Sequence, residues 1–112
     1  MRFEVVEISP AANKVILVGR LDATTVGQVE TGFTAAVAAS GRSAVLDLTG
    51  LEFLSSLGIR LLLSSARVVS RRGGKVVLFG AQHMVAEVLE AMALEEVLPL
   101  VPTEAEAVTR LG

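Results

Sequence analysis

The spacing of apolar residues changes several times along the chain, and each change predicts an element. Phe3 to Ile8 and Lys14 to Gly19 are short apolar-rich runs around Ser9-Pro10-Ala11-Ala12-Asn13, which reads as two antiparallel strands joined by a turn. Val26, Val29, Phe33, Ala36 and Val37 then recur at the 3.6-residue period of an amphipathic helix ending near Ser40-Gly41. Ser43 to Leu48 is apolar at successive positions, the pattern of a strand covered on both faces. Ile59, Leu62, Leu63, Ala66 and Val69 mark a second helix, closed by Arg71-Arg72 and Gly73-Gly74. A strand over 75–80 follows, and Met84, Val85, Val88, Leu89 and Met92 predict a third helix. Residues 97–101 read as a short edge strand, because Pro99 has no N–H for a central ladder. Thr103 and Glu106 have the spacing of a capping box for a last helix.

The order β-β-α-β-α-β-α-β-α predicts an α/β fold: a mixed, mostly parallel sheet of four to five strands, an N-terminal hairpin and about four helices. Residues 1–112 lack an internal linker or repeat and read as a single domain. In such sheets function collects at the carboxyl ends of the strands. Two loops are expected there, Arg20 to Thr25 and Thr49 to Leu57.

Composition narrows the chemistry. Hydrophobic residues make up 52% of the chain, yet the only aromatics are four Phe, so Val, Leu, Ile and Ala must build the core. With no cysteine and one histidine, a thiolate or ordinary zinc site is excluded and no metal or other cofactor is expected. No apolar run approaches the roughly 20 residues that span a bilayer, and the N-terminus lacks a signal-peptide core, so no membrane insertion and a cytoplasmic location are expected. Net charge is −2, which gives no general attraction for nucleic acid, and there is no Trp or Tyr for base stacking. Arg60, Arg67, Arg71, Arg72 and Lys75 form an acid-free basic stretch, which reads as helix-end charge and a solvated face.

Ser55 and Ser56, in the run Phe-Leu-Ser-Ser-Leu-Gly-Ile-Arg over 53–60, stand where a strand gives way to a helix. A nucleophile elbow there would need a glycine where Leu54 stands. It would also need a base and an orienting carboxylate. The single histidine is His83, and no Asp or Glu lies between Ser56 and His83, so hydrolase chain order fails; Asp22 or Asp47 in a convergent order stays open. His83, beside Gln82 at a helix start, reads as a surface or capping residue. Arg71-Arg72-Gly73-Gly74-Lys75 follows a helix and precedes a strand, the reverse of a phosphate loop, and reads as a helix stop. Asp22 and Thr24 have side-chain oxygens suited to capping the first helix, and one of the two serines suits the second. That leaves one serine spare.

Several segments, in order, resemble the STAS domains, in particular the bacterial anti-sigma factor antagonists. They are Gly19-Arg20-Leu21-Asp22, Val45-Leu46-Asp47-Leu48, Leu51-Glu52-Phe53-Leu54, Ser55-Ser56-Leu57-Gly58-Ile59 and Arg71-Arg72-Gly73-Gly74-Lys75-Val76-Val77-Leu78. The resemblance implies a STAS fold and a non-enzymatic switch without cofactor. Ser56 would be phosphorylated by an anti-sigma factor that is also a serine kinase, and reset by a protein serine phosphatase. The unphosphorylated form would bind the anti-sigma factor and free a sigma factor, regulating transcription without direct nucleic-acid contact. Asp22, Thr24, Ser55, Ser56, Leu57, Gly58 and Arg60 map to the partner surface, and a monomer or weak dimer is expected. The chain departs from the family pattern at Ser55, often Asp, at Leu57, often Ser, and at Arg60, where a second glycine is frequent. The alternatives are a STAS adaptor that docks without phosphorylation on a transporter ATPase or stress-signalling complex and, from another class, a small serine hydrolase.

Overall fold

Strand β1 (Arg2–Ser9) turns through Pro10-Ala11 into β2 (Ala12–Leu21), and the two pair antiparallel with Val5 opposite Val15. The turn is tighter than the five residues expected, because Ala12 and Asn13 already pair with Ser9 and Glu7. The computed structural model describes residues 1–112. From β2 onward, strands and helices alternate: α1 (Ala23–Val37), β3 (Ser43–Leu54), α2 (Ser56–Arg71), β4 (Val76–Phe79), α3 (His83–Ala91), β5 (Leu100–Val101) and α4 (Glu104–Arg110). The sheet order is β1-β2-β3-β4-β5, with every pair after the hairpin parallel. This is the mixed α/β sheet with an N-terminal hairpin that the apolar pattern predicts.

The core lies on both faces of the sheet, unequally. Phe33 and Val37 of α1, Leu62 and Ala66 of α2, and Val85 and Leu89 of α3 pack over Leu17, Leu46, Leu48 and Leu78. On the opposite face Val45, Val77, Phe79 and Val101 sit beneath Ala107 of α4. The fully buried Val45 and Leu46 are neighbours on opposite faces, which explains the run of successive apolar residues in β3.

Two strands differ from the pattern's prediction. Thr49 to Leu57 is not a loop: β3 continues to Leu54 and stays paired with an equally extended β2, through Val18–Gly50, Arg20–Phe53 and Leu21–Leu54. The pairing crosses irregularities between Ile16 and Val18 and between Gly19 and Arg20, so the inward apolar residues lose their period of two. The predicted strand over 97–101 keeps only Leu100 and Val101, since Val97 and Leu98 donate to Leu94 in a turn. Pro99 still contributes its carbonyl, which accepts from Leu78 N at 2.8 Å.

Helix α4 also departs from its predicted cap. Thr103 caps it by accepting from Glu106 N at 3.3 Å, but the Glu106 side chain does not return a bond to Thr103, so half of the predicted box forms. Thr103→Ala is therefore expected to cost about 1 kcal/mol. Glu106→Ala should stay within about 0.5 kcal/mol of wild type. Urea unfolding of both variants measures the contrast, and equal losses would mean that Glu106 supports the cap.

Candidate functional site

Asp22 follows the last residue of β2 and caps α1. Its Oδ1 accepts from Thr24 N at 3.0 Å and Thr25 N at 3.1 Å, while its own N–H donates to Thr25 Oγ1 at 2.9 Å. The capping box is thus Asp22 with Thr25, and Thr24 supplies only a backbone donor. Arg20 places Nε 3.8 Å from Asp22 Oδ2 and its guanidinium carbon 4.4 Å from the centre of the Phe53 ring. That contact joins neighbouring strands at the level of the turn.

These bonds set the charge of the turn. The Thr25 N–H is the main cause holding the Asp22 carboxyl below the usual carboxylate range; burial opposes it, and Thr24 N–H, the Thr25 hydroxyl and Arg20 add to it. A lowered folded-state value gives stability that is present above the unfolded value of about 3.9 and lost as pH falls through the folded value. Asn caps as well as Asp, so Asp22→Asn is expected to change stability little at neutral pH and to flatten the loss in acid. Urea unfolding between about pH 7 and pH 2 tests this; an unchanged acid limb would remove Asp22 from the account.

The start of α2 abuts this turn. Ser55 N donates to Leu21 O at 2.9 Å, and Ser55 Oγ accepts from Gly58 N at 3.2 Å as the cap of α2. Ser56 is the first helical residue, exposed, and its Oγ takes part in no hydrogen bond. A Cβ on Gly58 would lie 2.9 Å from Leu21 O, Leu21 Cγ and Leu54 Cδ1, so only glycine lets α2 approach β2 this closely. Asp22, Ser55, Ser56 and Gly58 are thereby gathered at one end of the sheet. Leu57 is exposed beside them, and Arg60 is exposed one helical turn on.

Nearer the middle of β3, the structure gives Asp47, Gln82 and α3 contacts that residue spacing did not predict. Asp47 Oδ1 accepts from Thr49 N and Oγ1 at 2.9 and 2.7 Å, and Gln82 Nε2 donates to Thr49 O at 2.9 Å. This chain ties the start of α3 to β3. On α3, Met84, Val88 and Met92 are exposed at spacings of four residues, so the apolar periodicity that predicted the helix overstated what is buried. Met84 alone is 65% exposed.

No catalytic relay links these groups. His83 is exposed and its Nε2 lies 2.7 Å from Glu87 Oε1, Asp22 serves the α1 cap, and Asp47 serves Thr49. No three Asp, Glu or His side chains converge as metal ligands. No helix is long and apolar enough to cross a membrane.

The sequence model of the STAS domain matches residues 5–107. The chain belongs to the STAS domain family. Among solved STAS structures, an anti-sigma-factor antagonist domain protein from Planctomyces limnophilus is 27% identical, with a TM-score of 0.83 over 98% of this chain and 97% of that one. An anti-sigma factor antagonist from Mycobacterium paratuberculosis is 26% identical, with a TM-score of 0.82 over 98% and 92% of the two chains. The phosphorylated form of the Bacillus cell fate determinant SpoIIAA shares the fold, at 21% identity and a TM-score of 0.73 over 99% and 100% of the two chains. No curated protein sequence matches. In this STAS chain the Asp22 turn and the Ser55-Ser56 turn therefore sit in a sheet whose topology is that of antagonist proteins.

Proposed function

We propose that this chain is an anti-sigma factor antagonist, a binding module whose affinity for its partner is set by phosphorylation of Ser56. The observation that carries the reading is the division of labour between adjacent serines. Ser55 Oγ is committed to the α2 cap, whereas Ser56 Oγ is exposed and unbonded. The similarity to two antagonists above, and the existence of a phosphorylated SpoIIAA with this fold, support the same role.

The partner is an anti-sigma factor with serine kinase activity. In the transfer, Ser56 Oγ forms a bond to the γ-phosphorus of ATP, the bond to the ADP oxygen breaks, and the hydroxyl proton passes to a base on the kinase. A protein serine phosphatase reverses the mark by hydrolysis. At a helix start the modified residue meets free N–H groups and the positive end of the dipole, so the fold tolerates the anion. The partner pays for it instead, by repulsion and desolvation. Leu57, exposed beside Ser56, supplies an apolar contact of the docking surface next to the Asp22 turn.

Incubation with the cognate kinase and ATP, followed by peptide mass spectrometry, tests the assignment. Wild type and Ser55→Ala are expected to gain phosphate at position 56, and Ser56→Ala to gain none. Phosphate on Ser55, or on neither serine, would overturn it.

A further inference from the structure

Every charged side chain on α2 is basic, and none is paired. Arg60, Arg67 and Arg71 are exposed and follow one another at seven and four residues, so they share a ridge with Ser56, which lies four residues before Arg60. The ion pairs of the chain join Lys14 to Glu104, Arg20 to Asp22, Arg42 to Glu7 and His83 to Glu87, leaving all three ridge arginines without a carboxylate. Side chains on a helix lean toward its N-terminus, so the turn that carries Ser56 is within reach of Arg60. The other cation of this region, Arg20, is already held between Asp22 and the Phe53 ring.

We infer that Arg60 is the built-in counter-ion of a phosphate on Ser56. An anion four residues before a cation is the favourable order on a helix, and guanidinium binds phosphate through paired N–H donors. The inference rests on the phosphoswitch reading and adds a second effect to it. With Ser56 free, Arg60 faces the partner together with Arg67 and Arg71. With Ser56 phosphorylated, Arg60 turns back onto its own helix, so the surface gains a dianion and loses a cation in one event. Of the acidic groups at this end, Asp22 is engaged by the α1 cap and Arg20, and Glu52, four residues before Ser56 on β3, is exposed and in no ion pair.

Phosphoserine installed at position 56 during translation tests the pair without any kinase, and phosphorus NMR titration of the intact protein reads it. The second phosphate pKa is expected below the value of about 6 for an unpaired phosphoserine. Arg60→Gln should raise it by about half a unit or more, Arg60→Lys by less, and Arg67→Gln by little. Equal values in wild type and Arg60→Gln, or an equal rise with Arg67→Gln, would overturn the inference. Failure of the kinase to modify Ser56 would sink the switch while leaving this pairing result intact, so the two are separable.

Discussion

Ser56→Asp is expected to weaken binding to the anti-sigma factor at least about 100-fold, or about 2.7 kcal/mol, while Ser56→Ala binds as wild type. Ser56 is exposed and its hydroxyl serves no cap, so neither change removes a bond within the fold. The whole penalty then falls on the complex. A carboxylate at this position must lose water against the partner and faces whatever acidic groups Arg60, Arg67 and Arg71 otherwise attract. Asp carries one negative charge where a phosphate carries about 1.5 to 2, so the substitution gives a lower bound on the effect of phosphorylation. Titration calorimetry at two salt concentrations measures it, and the loss should come mainly from faster dissociation. Binding of Ser56→Asp within about threefold of wild type, which is less than 1 kcal/mol, would instead favour an adaptor whose docking ignores this residue.

The ease with which the fold could be read follows from where its periodicities are undisturbed. Helices α1, α2 and α3 were placed by Val29 and Phe33, Leu62 and Ala66, and Val85 and Leu89, all of which are buried at the expected spacing. The second half of β3 was hidden because two irregularities shift its pairing with β2. Leu48, Leu51 and Leu54 all face the core, yet they are spaced by three rather than two. No local pattern announces such a strand. The candidate site was legible to a similar depth. Asp22 as a cap and a serine at the α2 start were both visible, but adjacent serines offer the same hydroxyl one residue apart. Spacing leaves open which serine caps α2, the resemblance alone pointed to Ser56, and the bond from Gly58 N to Ser55 Oγ leaves the Ser56 hydroxyl free. The Arg20–Phe53 contact and the Gly58 approach depend on the register between β2 and β3, which no short-range spacing encodes.

That register makes Gly58→Ala informative about more than stability. On an isolated helix the change would gain about 1 kcal/mol, because Ala is the better helix former. Here the new Cβ would meet the Leu21 carbonyl oxygen, Leu21 Cγ and Leu54 Cδ1, each at 2.9 Å. Two of these atoms belong to side chains of the packed core and one to the backbone of β2, so relief requires α2 to move outward. Overpacking of this kind costs up to about 3 kcal/mol, and the net expectation is a loss of about 2 kcal/mol, read as a lower midpoint in urea. The outward shift also lengthens the Ser55 N–H to Leu21 O bond that ties the two turns together. Partner affinity should therefore fall in conditions where the variant remains fully folded, although Gly58 is buried and offers the partner no side chain. Unchanged stability would mean that α2 adjusts freely against β2. A destabilised variant with wild-type affinity would mean that the spacing between the Asp22 turn and Ser56 is not what the partner reads.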